Sequence, residues 1–159
     1  MILDENDLKL LQDDPKDFFG QRLAILRLIE ADLDRIDKYR TCAFSTAAKP
    51  SSGGGFTVGN SVSKTEVCVV KIDEVERHIV DRKQALRAFD CKIIFVADNF
   101  VEDKLSRDIL LYRFLDMRPW KNIEHVTGLS KRALLKRQEK FLEEISQKAC
   151  TFTSKHDKI

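Results

Sequence analysis

The chain has 159 residues, of which 43% are hydrophobic and 34% charged, and its formal net charge is +2. It contains only 3 prolines and 6 glycines, and three of the glycines are consecutive at 53–55. Because helix breakers are so rare elsewhere, the composition predicts an all-α fold. No run approaches the roughly 18 apolar residues of a membrane span, and residues 1–17 lack the apolar core of a signal peptide. We therefore expect a soluble cytoplasmic protein that does not bind membranes.

Cysteine and histidine usage argues against a metal site. The four cysteines and three histidines are scattered, with no C-x-x-C pair and no zinc-ligand spacing. The sequence also has no Gly-rich phosphate loop and no Ser/His/Asp set. Acidic residues at Asp73, Glu74 and Glu76 fall on the outer face of a predicted helix. We therefore expect no metal, no cofactor and no enzymatic activity.

Residues 1–40 form a predicted N-terminal helical region with seven basic and ten acidic side chains. Pro15 suits the first turn of a helix, and Asp14 suits its N-cap. Apolar residues then recur every three or four positions, which predicts one buried stripe. The stripe comprises Phe19, Leu23, Leu26, Ile29, Leu33 and Ile36. Residues 41–62, with Pro50 and the glycine run, have little to bury and are predicted to be a flexible linker or surface loop.

Residues 63–102 contain the most regular pattern in the chain. Ser63 and Glu66 have the spacing of a capping box, which predicts that a helix begins there. Seam positions then step alternately by four and three residues, which predicts a heptad-patterned helix of about 35 residues. The seam comprises Cys68, Ile72, Val75, Ile79, Arg82, Leu86, Phe89, Ile93, Val96 and Phe100.

Two partners for this long helix remain open from the sequence. Its seam can pack on the helix of residues 15–40, making an internal helical hairpin, or on its own copy in a homodimer. We favour the hairpin, because an amphipathic helix more often completes the core of its own domain. A protein with this internal hairpin can also form a homodimer.

Residues 103–148 are predicted to form three short helices, followed by a tail at 149–159. The first runs near residues 104–116, and Pro119 then suits the start of the second. Gly128 suits a tight turn, and Ser130 suits the N-cap of the third helix. This helix-turn-helix pattern predicts that Leu134, Gln138, Phe141 and Ile145 pack inward.

The same segment is basic. Residues 118–140 carry seven basic side chains and two acidic ones, inside a nearly neutral chain. A helical wheel sets the outward face of the third helix opposite its buried stripe, where basic side chains suit phosphates and guanine edges in a major groove. Arg137 lies at the edge of the packed face, where an intradomain salt bridge competes with a phosphate contact. The predicted DNA-binding residues are Lys121, Ser130, Lys131, Arg132, Leu135, Lys136, Glu139 and Lys140.

Residues 105–142 resemble region 4 of sigma-70-type factors. Two positions depart from that pattern, with Glu124 where alanine is usual and Thr127 where leucine is usual. Over residues 60–145, the order of loop, Asn60, Ser63-Lys64-Thr65-Glu66, long helix and sigma-like helix-turn-helix resembles RinA/ArpU-type regulators of phages. The resemblance implies a phage- or prophage-encoded activator of late genes that binds a promoter and acts with host RNA polymerase.

Three other functions compete with this hypothesis. A small terminase subunit for phage DNA packaging also joins a helix-turn-helix to oligomerising helices. A nuclease or recombinase is disfavoured because the sequence lacks the catalytic residue sets discussed above. A factor that contacts polymerase more than DNA is disfavoured by the basic outer face.

Overall fold

The computed structural model describes residues 2–46 and 63–156, with side chains described for 2–44 and 63–152. Within these residues every regular element is helical, which confirms the all-α prediction. The helices are α1 (Glu5–Asp13), α2 (Pro15–Thr46), α3 (Lys64–Phe100), α4 (Lys104–Leu110), α5 (Trp120–Thr127) and α6 (Lys131–His156). A π-helical segment, Leu111–Leu115, continues α4.

Local capping explains where several helices begin. The Asp14 carboxylate accepts from the amide of Lys16 at 2.9 Å, as the N-cap of α2. At the start of α3, the Glu66 carboxylate accepts from the amide of Ser63 at 2.9 Å, and the Ser63 hydroxyl accepts from that of Thr65 at 3.2 Å. These bonds pair amides that have no partner within the helix.

Two helices extend past their predicted ends. The linker was predicted to begin at residue 41, but α2 continues through Thr46; residues 47–62 lie outside the described part of the chain. The predicted tail at 149–159 is helical through His156 in α6, and residues 157–159 lie outside the description. Ala149 is buried and the Phe152 ring lies 5.7 Å from that of Phe100, so apolar packing favours the longer helix.

The chain divides into two compact units: unit 1 is Met1–Ala24 with Leu86–Ile159, and unit 2 is Ile25–Ala85. This division does not follow the predicted boundaries in chain order, since α2 and α3 each contribute to both units. In unit 1, α1 packs against α6, and Ser146 Oγ donates to the backbone oxygen of Gln12 at 2.6 Å. Phe18 packs against Phe89, with 5.0 Å between ring centroids.

Unit 2 consists of parts of α2 and α3, which run antiparallel. Asp32 on α2 pairs with Arg82 on α3, and further along α2 Arg40 lies 4.0 Å from Glu76. Residue numbers rise along one helix as they fall along the other, which is the predicted internal hairpin. Its buried apolar side chains are Ile29, Ile36, Cys68, Val75 and Ile79.

Candidate nucleic-acid interface

The turn between α5 and α6 is built around Gly128. Its backbone is left-handed, with φ 70° and ψ 9°, and its amide donates to the Glu124 backbone oxygen at 2.8 Å. Thr127 Oγ1 donates to the Ile123 backbone oxygen at 2.7 Å. Glycine adopts this conformation without the steric cost that a Cβ adds, so α5 ends in a tight turn.

Two side chains cap the first turn of α6. The Ser130 hydroxyl accepts from the amide of Ala133 at 3.4 Å, in the predicted N-cap position. The Glu124 carboxylate accepts from the amide of Lys131 at 2.5 Å. A carboxylate at a helix N-terminus also interacts favourably with the helix dipole.

The inner face of α6 closes a small apolar core with α4 and α5. Leu134, Phe141 and Ile145 are buried, as predicted, whereas Gln138 is only partly so. Ile123 from α5 and Ile109 from α4 are completely buried. This packing determines which face of α6 is turned toward solvent.

The opposite face of α6 is exposed and rich in cations. Arg132, Leu135, Lys136 and Glu139 are all exposed, and with Lys131 they line one open depression of the surface. Ser130 just before α6, Lys140 on α6 and Lys121 on α5 are also exposed, so all the predicted DNA-contacting side chains are accessible.

These cations have no charge partner within the described part of the protein. The ion pairs of residues 101–152 use the cations Arg107, Arg118, Arg137 and Lys148. Among the side chains described, no carboxylate lies within 4.0 Å of the basic groups predicted to contact DNA. Their charge is therefore available to a polyanion.

Arg137, by contrast, is engaged inside the protein. Its Nη1 lies 2.5 Å from Asp103 Oδ2 and 3.3 Å from the Ser106 hydroxyl, which joins α6 to the start of α4. Hydrogen bonds from the Ser106 hydroxyl and amide, with the Arg137 guanidinium, hold the pKa of Asp103 below its usual value. Of the two contacts predicted to compete for Arg137, the structure contains the intradomain salt bridge to Asp103.

Sequence reasoning missed two cation–π contacts. The Arg113 guanidinium lies 5.0 Å from the centre of the Trp120 ring, and that of Arg118 lies 4.5 Å from the centre of the Tyr112 ring. Trp120, which contacts Arg113, is half-buried, whereas His125 is exposed. Basic and aromatic residues close in sequence were the available signal, but helix periodicity alone did not pair them.

No group of three or more His, Cys, Asp or Glu side chains suited to a metal ion occurs among the described residues. The helices described there include none with a long enough apolar stretch to cross a membrane. Comparisons with protein-family models, with curated proteins and with solved structures found no match to the chain.

Proposed function

We propose that the protein is a sequence-specific double-stranded DNA-binding transcription regulator that inserts α6 into a major groove. The observation that carries this proposal is the two-sided character of α6. Arg132 and Lys136 project from the face opposite buried Leu134 and Phe141, and both lack a carboxylate partner among the described side chains. A groove-binding helix requires one face for its own core and one for bases.

The exposed face offers chemistry suited to base edges. Arg132 and Lys136 stand one turn apart, about 6 Å along the axis, and suit the acceptor atoms of guanine. Leu135 between them suits the methyl group of thymine, and Glu139 suits the amino group of cytosine.

The flanking cations suit the DNA backbone. Lys131 and Lys140 on α6, with Lys121 on α5, contact phosphates in this proposal and orient the helix without reading sequence. The turn at Gly128 supports it by joining the C-terminal end of α5 to the basic start of α6 in unit 1.

The biological role proposed is activation of phage or prophage late genes with host RNA polymerase, in the cytoplasm of a bacterial host. Its support is the resemblance of residues 60–145 to RinA/ArpU-type regulators. The test is transcription in vitro by bacterial RNA polymerase from genomic fragments that the protein retains. Protein-dependent transcripts are expected; retained fragments whose transcription is unchanged contradict the role in activation.

DNA binding itself is tested by fluorescence anisotropy on duplexes selected from a random pool. Arg132→Ala is expected to reduce discrimination between selected and scrambled duplexes by about tenfold or more. Lys140→Ala is expected to weaken both duplexes about equally and to lower the salt slope by about one.

The matched controls are Arg87→Ala and Lys83→Ala, which remove exposed helical cations with no ion pair among the described side chains. Both are expected to bind DNA as the wild type does. Equal effects of Arg132→Ala and Arg87→Ala, or no binding by the wild type, contradict the proposal.

A further inference from the structure

Few apolar side chains are buried among the described residues of unit 2. The helical residues among them belong to two helices, and at one seam position an ion pair between Asp32 and Arg82 replaces an apolar contact. Several large apolar side chains of this unit are exposed instead. They are Leu28, Leu33, Phe44, Val67, Val69, Val70 and Val80. Exposed apolar groups concentrated in one part of a molecule are typical of an interaction surface.

Four of these side chains share one side of the hairpin. Leu33 and Phe44 on α2 are 49% and 77% exposed, and Val69 and Val80 on α3 are 51% and 63% exposed. Each pair is eleven residues apart, or about three helical turns, so its two members project in the same direction.

The antiparallel arrangement sets these residues side by side. Leu33 and Val80 line one groove, together with Arg40 and Glu76. Phe44 lies eleven residues after Leu33 on α2, and Val69 lies eleven residues before Val80 on α3. Because the helices are antiparallel, Phe44 and Val69 are reached at the same level of the hairpin. The side face, defined by Leu33, Phe44, Val69 and Val80, therefore has an apolar pair at each end, about 16 Å apart.

Charges of both signs occupy the middle of the side face. Arg40 lies 3.8 Å from Asp37 and 4.0 Å from Glu76, and all three side chains are more than half exposed. Along α2, Asp37 and Arg40 are equally spaced about the midpoint between Leu33 and Phe44. The order is apolar, acidic, basic, apolar.

We infer that the side face binds a second copy of itself, so that two hairpins form an antiparallel four-helix bundle. A two-fold axis across the middle of the face, at right angles to the helices, opposes Leu33 of one copy to Phe44 of the other. The same rotation sets Asp37 against Arg40 and Val80 against Val69. Along α2 the order of charges is complementary to its own reverse, which favours a second copy over an unrelated partner. On α3 the same rotation opposes Glu76 to the exposed Asp73, so the fit rests on the apolar ends and on the charges of α2.

The inference uses residues of unit 2 alone and does not depend on DNA binding. It is tested without DNA, by light scattering and sedimentation equilibrium of the full chain at micromolar concentration. The wild type is expected at twice the mass of one chain. A monomer, or an assembly larger than two chains, overturns the inference.

The surface is tested with Val80→Glu, which sets a carboxylate inside the apolar end. We expect it to raise the dimer dissociation constant by a factor on the order of a hundred. The matched control is Val70→Glu, at a position 66% exposed on the same helix but about 80° around its axis. It is expected to remain a dimer, and equal behaviour of the two variants overturns the inference.

Charge exchange tests the two-fold arrangement and avoids dependence on one variant. Asp37→Arg opposes two arginines across the axis and Arg40→Asp opposes two aspartates, so each variant alone is expected to be monomeric. Mixed in equal amounts, the two are expected to form a heterodimer, because both opposed charge pairs on α2 are then unlike. Failure of the mixture to associate overturns the inference, and helix content measured by circular dichroism verifies folding.

Discussion

The carboxylate of Glu124 accepts a hydrogen bond from the backbone amide of Lys131, with 2.5 Å between Glu124 Oε1 and Lys131 N. Glu124 belongs to α5, and Lys131 is the first residue of α6. The contact pairs one of the amides that a helix start leaves open, and it links the two helices across the turn. Glu124, one of the two residues that depart from the sigma-like pattern, therefore has a structural role of its own.

Removing this cap is expected to destabilise the protein. Glu124→Ala should lower the free energy of unfolding by about 1 kcal/mol, because the Lys131 amide loses its partner. Glu124→Gln retains an acceptor oxygen and should lose less. Urea denaturation measures both, and Glu143→Ala, an exposed position on α6, serves as the control. A Glu124→Ala variant as stable as this control argues against the capping role.

Gly128 is expected to resist substitution because of its backbone angle and not because of crowding. An added Cβ meets nothing within 4 Å, but φ is +70°. Gly128→Ala should therefore cost about 1 kcal/mol, and Gly128→Asn less. Gly20→Ala, in the interior of α2 and equally uncrowded, should instead stabilise by roughly 0.5 kcal/mol. Thermal melts compare the variants, and opposite signs for the two alanine substitutions are the decisive result.

The ion pair between Asp32 and Arg82 is expected to select the pairing of α2 with α3 and to contribute little to the net free energy of unfolding. Asp32 is fully buried, and Arg82 also donates to the Leu28 backbone oxygen at 2.9 Å. Asp32→Ala leaves this arginine without its carboxylate and should cost about 3 kcal/mol. The double variant Asp32→Leu/Arg82→Leu should come within about 1 kcal/mol of the wild type or exceed it. A double variant as unstable as the single one contradicts this assignment.

Stability at acid pH is expected to depend on Asp103. Since the folded pKa of Asp103 lies below its usual value, the ionised carboxylate stabilises the folded state at every pH above the unfolded pKa. This contribution is lost as the pH falls below the unfolded pKa and through the folded pKa. Asp103→Asn keeps a capping oxygen for Ser106 but has no charge. Urea titrations should show the wild type more stable than this variant at about pH 5, with the difference shrinking toward about pH 2.5. A difference that does not change with pH contradicts the role of the charge.

Local patterns in the sequence predicted the parts of the fold that depend on neighbours along the chain. The capping of α2 by Asp14 and the start of α3 at Ser63 follow from side chains within three residues of the amides they bind. The burial of Leu134 and the exposure of Arg132 follow from helical periodicity, because a period of 3.6 residues separates two faces. The sequence by itself thus determined the helices and the outward face of α6.

Contacts between residues distant in sequence were decided by the tertiary structure. Arg137 meets Asp103 across 34 positions, and only the packing of α4 on α6 makes them neighbours. The packing of α1 against α6 and the lengthening of α6 past Ala149 depend in the same way on which apolar faces meet. Periodicity shows that a helix has a buried face but does not identify its partner, because many pairings bury similar apolar area. The choice among them is made by the side chains of the whole chain packing together.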